Sequence, residues 1–148
     1  MRLLVVVGVL LLAPSAHADG YEDHDYTLNC SGCHRMDGSG SKVVPSFNGL
    51  RELAGKPGAR EYWIRVPGTA QAPINDARLA AMMNWLLERF TGKAPNPPYS
   101  ATEVAKLRAK PLRDPIAERK RILAGTHPGA TSRHVGRTPS NPPAHPHP

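Results

Sequence analysis

The sequence predicts an all-α domain, and three observations carry that expectation. Leu79, Met82, Met83, Leu86 and Phe90 recur at helical spacing on one face, broadened by Trp85 and Leu87. Helix start and stop residues punctuate the chain: Pro57 and Pro67-Gly68 bracket one stretch, and Asp76 and Gly92 bracket another. No stretch alternates apolar and polar residues in the manner of a half-buried strand.

The first 18 residues read as an export signal. Arg2 is a positive start, Leu3 to Leu12 is an apolar run, and Ala16-His17-Ala18 places small residues where a signal peptidase cuts. The run is too short for a bilayer core, which needs about 20 residues. Residues 1–18 are therefore expected to be removed, the mature chain to begin at Asp19, and the destination to be the periplasm.

Residues 19–92 read as the folded domain. A helix is expected just before Cys30, with Tyr26 and Leu28 among its apolar residues. The stretch Met36 to Asn48 is rich in Gly and Ser and reads as a loop, and Gly49 to Ala54 adds a helical turn. A short helix is expected between Gly58 and Val66. The segment Pro67 to Ile74 reads as a loop, and Asp76 as the cap of a helix from Ala77 to about Phe90, with Gly92 beyond its end.

Residues 93–125 read as a basic helical extension. Ser100-Ala101-Thr102-Glu103 is a capping box for a helix that Pro111 ends, and Asp114-Pro115 opens another through about Ala124. Residues 126–148 form a Pro- and His-rich tail with almost no large apolar residues, expected to be disordered. Charge divides along the same line. Residues 19–92 hold eight Lys/Arg against nine Asp/Glu, whereas residues 93–148 hold ten against three. Packing of the extension on the domain is the plain expectation. Docking to an acidic partner or an anionic membrane surface is the other. No nucleic-acid partner is expected.

Residues 19–92 make a small core, of the size that usually needs a disulfide, a metal or a large cofactor. The only two cysteines, Cys30 and Cys33, would close too small a loop to restrict the unfolded chain much. With His34 they form Cys30-Ser31-Gly32-Cys33-His34, the spacing of covalent haem attachment. Two thiols so placed can add to the two vinyl groups on one porphyrin edge, and the next residue's imidazole then reaches the iron. A zinc site would want four ligands, often two cysteine pairs. A thioredoxin-like redox motif would want a strand leading into a helix. One haem c, bound through Cys30 and Cys33 with His34 as proximal iron ligand, is the expectation.

Residues 25–91 resemble the small monohaem class I cytochromes c. The resemblance lies in Cys30 to His34, in Asp37-Gly38-Ser39-Gly40, in Pro45-Ser46-Phe47-Asn48-Gly49-Leu50, and in the closing helix Leu79-Ala80-Ala81-Met82-Met83-Asn84-Trp85-Leu86. It implies a helical fold around one covalently bound haem, in which the first and last helices cross. It also implies that the Pro45 carbonyl accepts a hydrogen bond from the free ring nitrogen of His34 and sets its orientation.

The chain departs from the family at the other axial ligand. Class I cytochromes usually supply a methionine from the loop before the last helix, commonly followed by proline. Here Pro73 is present, but Ala72 precedes it, and Val66 to Asp76 contains no methionine. Met82 or Met83 is the substitute carried forward. An open sixth position, with no strong protein ligand, stands ahead of either methionine; Gln71 and His24 are weaker options, and Met36 lies on the proximal side.

The expected function is electron transfer between periplasmic redox proteins, a dehydrogenase or an oxidase. The alternative is a haem protein that binds or senses small ligands at an open distal site. No nucleophile, base and orienting group come together in the sequence, so an enzyme is not expected. A peroxidase-like activity would draw on Arg65 or Arg78.

Overall fold

A computed structural model describes residues 20–128. The expected export signal and nearly all of the expected tail lie outside them. Among the described residues the chain is entirely helical, with no strand.

Helix α1 (Glu22–Asn29) opens the fold with three acidic residues in its first turn, where the helix dipole favours them. It packs across α6 (Asp76–Thr91), the longest helix among the described residues. Tyr26, 1% exposed, anchors the crossing. Its ring lies 5.8 Å from Trp85, 6.1 Å from Phe90 and 6.2 Å from Phe47. Its hydroxyl donates to the Arg35 carbonyl at 2.5 Å. One residue earlier Asp25 is also buried, and Arg78 of α6 pairs with both its carboxylate oxygens. An unpaired carboxylate there would be costly, so this ion pair fixes the register of α1 on α6.

Helix α6 begins one residue earlier than the sequence suggests. The capping side chain is Asn75, whose Oδ1 accepts the Arg78 N–H at 2.9 Å, and Asp76 is the first helical residue. Both residue types cap well, so sequence preference alone does not choose between them. Gly92, at φ +76°, ends the helix in the left-handed conformation. Between α1 and α6 run α2 (Ser31–His34), a 3-10 turn at Phe47–Gly49, α3 (Leu50–Leu53) and α4 (Ala59–Arg65). The stretch expected to be a loop after Val66 contains one further turn, α5 (Pro67–Ala70). Its first residue is a proline, whose missing N–H would be unpaired there anyway.

The extension is built into the core. Ser100 caps α7 (Ala101–Arg108) by accepting the Glu103 N–H, as the capping box predicts. Tyr99 and Val104 lie in the same buried cluster as Leu79, Met82 and Leu86 of α6. Asn84 clamps the incoming stretch of chain twice: its Nδ2 donates to the Tyr99 carbonyl, and its Oδ1 accepts the Tyr99 N–H at 2.7 Å. Arg60 of α4 forms a two-pronged ion pair with Glu103, both contacts 2.6 Å, and its guanidinium sits 4.1 Å above the Tyr99 ring. Asp114 caps α8 (Pro115–Leu123), whose Ile122 joins Leu53, Ala59 and Tyr62 in a second cluster. The expected tail starts as ordered chain: Thr126 N–H donates to the Arg121 carbonyl at 2.9 Å, and His127 Nε2 lies 3.2 Å from Glu118.

Candidate haem site

The attachment motif is formed almost wholly by local geometry. The single turn α2 places Cys30, Cys33 and His34 three and four residues apart, on one face. Cys30 is part-buried at the end of α1, Cys33 is exposed, and the two thiols form no disulfide. Burial, with the neighbouring Cys33 and Asp25, pushes the Cys30 thiol up to about 11.

His34 is held from two sides. Its Nδ1 lies 3.2 Å from the Pro45 carbonyl, the bond the resemblance implies. Its ring stacks on Phe47 at 4.0 Å between centroids, inclined by 18°. Phe47 in turn packs against Tyr26 and Phe90, so the imidazole leans on the aromatic cluster that crosses α1 and α6. Burial lowers the His34 pKa, partly offset by the Pro45 hydrogen bond. The ring is therefore biased to the neutral form, which keeps Nε2 available as a lone-pair donor.

The loop that brings Pro45 back is a tight one. Gly40 N–H donates to the His34 carbonyl at 3.1 Å, and Ser41 N–H to Val44 at 2.9 Å. Gly40 has φ +71°, and a Cβ there would stand 2.4 Å from the Val44 oxygen. Only glycine fits that position without moving the backbone that carries Pro45.

These residues open onto a cavity of about 670 Å³, inside the range of cofactor sites. Cys30, Cys33, His34, Pro45 and Phe47 line one part of it. Leu50, Leu53, Tyr62, Trp63 and Val66 line another, with Gly68 and Thr69 of α5 and Met83, Leu86 and Leu87 of α6. Helix α8 closes it with Pro115, Ile116, Arg119 and Lys120.

The walls suit a flat apolar group with an anionic edge. Trp63 Nε1 is buried and has no hydrogen-bond partner among the described residues. A donor left so would cost about 1–3 kcal/mol unless a bound group accepts from it. Arg119, also on the wall, comes no closer to Glu52 than 3.9 Å. Burial raises the Tyr62 hydroxyl above its ordinary range, with Arg119 lowering it and Glu118 raising it. A haem would fit this set: Cys30 and Cys33 would hold its vinyl groups, the leucines would pack on its ring, and Trp63 and Arg119 would meet its carboxylates. A metal ion alone does not, because no three His, Cys, Asp or Glu side chains gather among the described residues.

Comparison with known proteins agrees with this chemistry. The chain is 30% identical over 148 aligned residues to a cytochrome c-552 of Thermus thermophilus, covering 82% of this chain and 95% of the relative. The chain belongs to the cytochrome c family. A second cytochrome c-552 from the same species is 31% identical over 119 residues, 63% of this chain and 90% of the relative. No family model and no solved structure matches the chain. The helical fold is that of a cytochrome c, with α1 and α6 as the crossing first and last helices of the residue 19–92 region.

The distal candidates separate clearly in this cytochrome. Met83 lines the cavity, whereas Met82 is fully buried in the core away from it. The helical repeat put both on the apolar face, but adjacent helical residues point about 100° apart, and only packing decides which meets the cavity. Gln71 and His24 are exposed and off the wall. Met36 is 49% exposed and accepts from the Thr27 hydroxyl at 3.8 Å. Arg65 donates to the Lys110 carbonyl and Arg78 pairs with Asp25, so neither reaches the cavity.

Sequence reasoning missed Tyr62, Trp63 and the α8 residues as site components. The adjacent aromatics in Glu61-Tyr62-Trp63-Ile64 were a readable signal for a binding wall. Nothing local marks Pro115 to Lys120, which lie more than 80 residues from His34 in the chain.

Proposed function

We propose that the chain is an exported class I cytochrome with one covalently attached haem, carrying single electrons between periplasmic redox proteins such as a dehydrogenase and an oxidase. One observation carries this reading: the His34 imidazole, oriented by Pro45, stands beside Cys30 and Cys33 at an apolar cavity of about 670 Å³. Bound haem would supply reversible one-electron iron chemistry. The protein's part is to hold it. Cys30 and Cys33 would bind its vinyl groups, His34 would supply a nitrogen ligand to the iron, Trp63 and Arg119 would meet its carboxylates, and the leucines of α3 and α6 would exclude water. Low water content around the ring favours the less charged oxidation state and limits reorganisation during transfer.

The test is production alongside a haem-attachment system, followed by denaturing electrophoresis stained for haem and a potentiometric titration. Covalent haem that titrates as one reversible one-electron centre supports the reading. Absence of covalent haem would sink it, and two centres would sink its monohaem part.

A second reading is favoured by the absence of any methionine between Val66 and Asp76. The sixth iron position would then be open, suiting a protein that binds small ligands. Carbon monoxide binding to the reduced protein separates the two.

The basic charge of residues 93–125 supports docking of acidic partners or anionic membranes, since Lys106, Lys110 and Lys120 are exposed. Charge reversal at these lysines would weaken the salt dependence of electron transfer to such a partner. An unchanged dependence would remove the docking role.

A further inference from the structure

One side chain of the extension controls the segment where the family places its distal methionine. Arg108, at the end of α7, spreads its guanidinium over the chain between α5 and α6. Its Nε donates to the Ala70 carbonyl at 2.9 Å, its Nη2 to Ala72 at 2.5 Å, and its Nη1 to Ile74 at 2.9 Å and to the Asp76 carboxylate at 3.1 Å. Arg108 is only 18% exposed. A planar fork with fixed donor directions, satisfied at every nitrogen, holds these acceptors in one arrangement.

The segment so held begins in α5, whose Gly68 and Thr69 face the cavity. From Val66 to Asp76 it offers no methionine, histidine, lysine or cysteine. Val66, Leu86 and Leu87 make the nearby lining apolar, which disfavours an unpaired anion. The Thr69 hydroxyl is the one side-chain hydrogen-bond donor that this segment contributes to the cavity lining.

We propose that Arg108 is a positioning residue for the sixth coordination position of the haem iron: by pinning residues 70–76 it keeps Gly68 and Thr69 as a fixed wall, and leaves that position to a small neutral ligand of the carbon monoxide or nitric oxide class. The proposal rests on His34 binding the iron of a covalent haem, and it deepens the open-site reading.

The experiment uses the haem-loaded full chain. Covalent haem is verified first, because its absence overturns the cytochrome reading and this proposal together. The reduced protein is then mixed with carbon monoxide, and the association rate and the C–O stretching frequency are recorded. The wild type is expected to bind the gas and to show no thioether-to-iron charge-transfer band in the oxidised form. Arg108→Gln is expected to shift the stretching frequency and change the association rate by at least about fivefold, the lower end of coupling between sites. A role confined to stability would lower the melting temperature and leave the frequency of the folded protein alone. Where Arg108→Gln fails to fold, Asp76→Asn removes one of the acceptors, and a smaller shift in the same direction is expected. A thioether-to-iron charge-transfer band that Met83→Leu abolishes would overturn the proposal while leaving the cytochrome reading intact. So would an unchanged rate and frequency in the folded Arg108 or Asp76 variant.

Discussion

The two sides of the cavity are built by different means. The side carrying Cys30, Cys33, His34 and Pro45 is made within 16 consecutive residues, by one helical turn and one tight loop closed on Gly40. The side carrying Thr69, Met83 and Arg119 comes from three separate helices and is held by residues 30 to 40 positions away, such as Arg108 on Ala70 and Ile74. Local construction makes the first side readable and hard to vary. Long-range construction lets the loop before α6 go without the family's methionine while the fold stays whole.

The largest effect should come from the local side. His34→Ala removes the axial nitrogen, and Cys30→Ala with Cys33→Ala removes covalent attachment. Haem staining after denaturation is expected to vanish in the cysteine variant, whereas His34→Ala is expected to keep any attached haem with an altered Soret band. Retained covalent haem without either thiol would break the comparison at its firmest point.

Next comes removal of residues 93–148. Tyr99 and Val104 leave the core and expose Leu86 and Met82, so the shortened chain is expected to lose cooperative thermal unfolding by circular dichroism. A truncated chain that still melts cooperatively would show that the extension is an accessory to the fold.

Arg78→Ala strands the buried Asp25 carboxylate between α1 and α6. A loss of about 3 kcal/mol in denaturant unfolding is expected, reduced in the Asp25→Asn background. Gly40→Ala tests the loop itself. Its positive φ and its approach to Val44 predict a loss of about 2 kcal/mol and a weakened hold of Pro45 on His34.

The smallest effect is a pH dependence. Burial raises Tyr26 to about 12. An unfolded tyrosine releases its proton near pH 10. The folded state thus holds the proton more tightly than the unfolded one. The Tyr26 contribution to stability is therefore fully present below pH 10 and lost as pH rises towards 12. Urea midpoints across that range should fall in the wild type and fall less in Tyr26→Phe.

Legibility followed the distance over which each feature is encoded. The helices at Glu22–Asn29, Ala59–Arg65, Ala101–Arg108 and Pro115–Leu123 were readable from caps, prolines and periodicity. So was the gathering of Cys30, Cys33 and His34, because the three residues lie within one turn. The cap of α6 slipped by one residue because Asn75 and Asp76 are both good caps. The turn α5 was hidden because a proline and a glycine read as loop, although proline also begins helices.

By itself, then, the sequence determined an all-helical fold among the described residues, a turn that gathers Cys30, Cys33 and His34, and a displaced basic charge, all of which depend on neighbours a few residues apart. Tertiary structure alone decided that Met83 and not Met82 meets the cavity, that Trp63 and Arg119 converge on it, and that Arg108 governs the segment before α6. Those outcomes depend on how helices pack, and packing sets which of two adjacent side chains faces a cavity and which distant cation closes it.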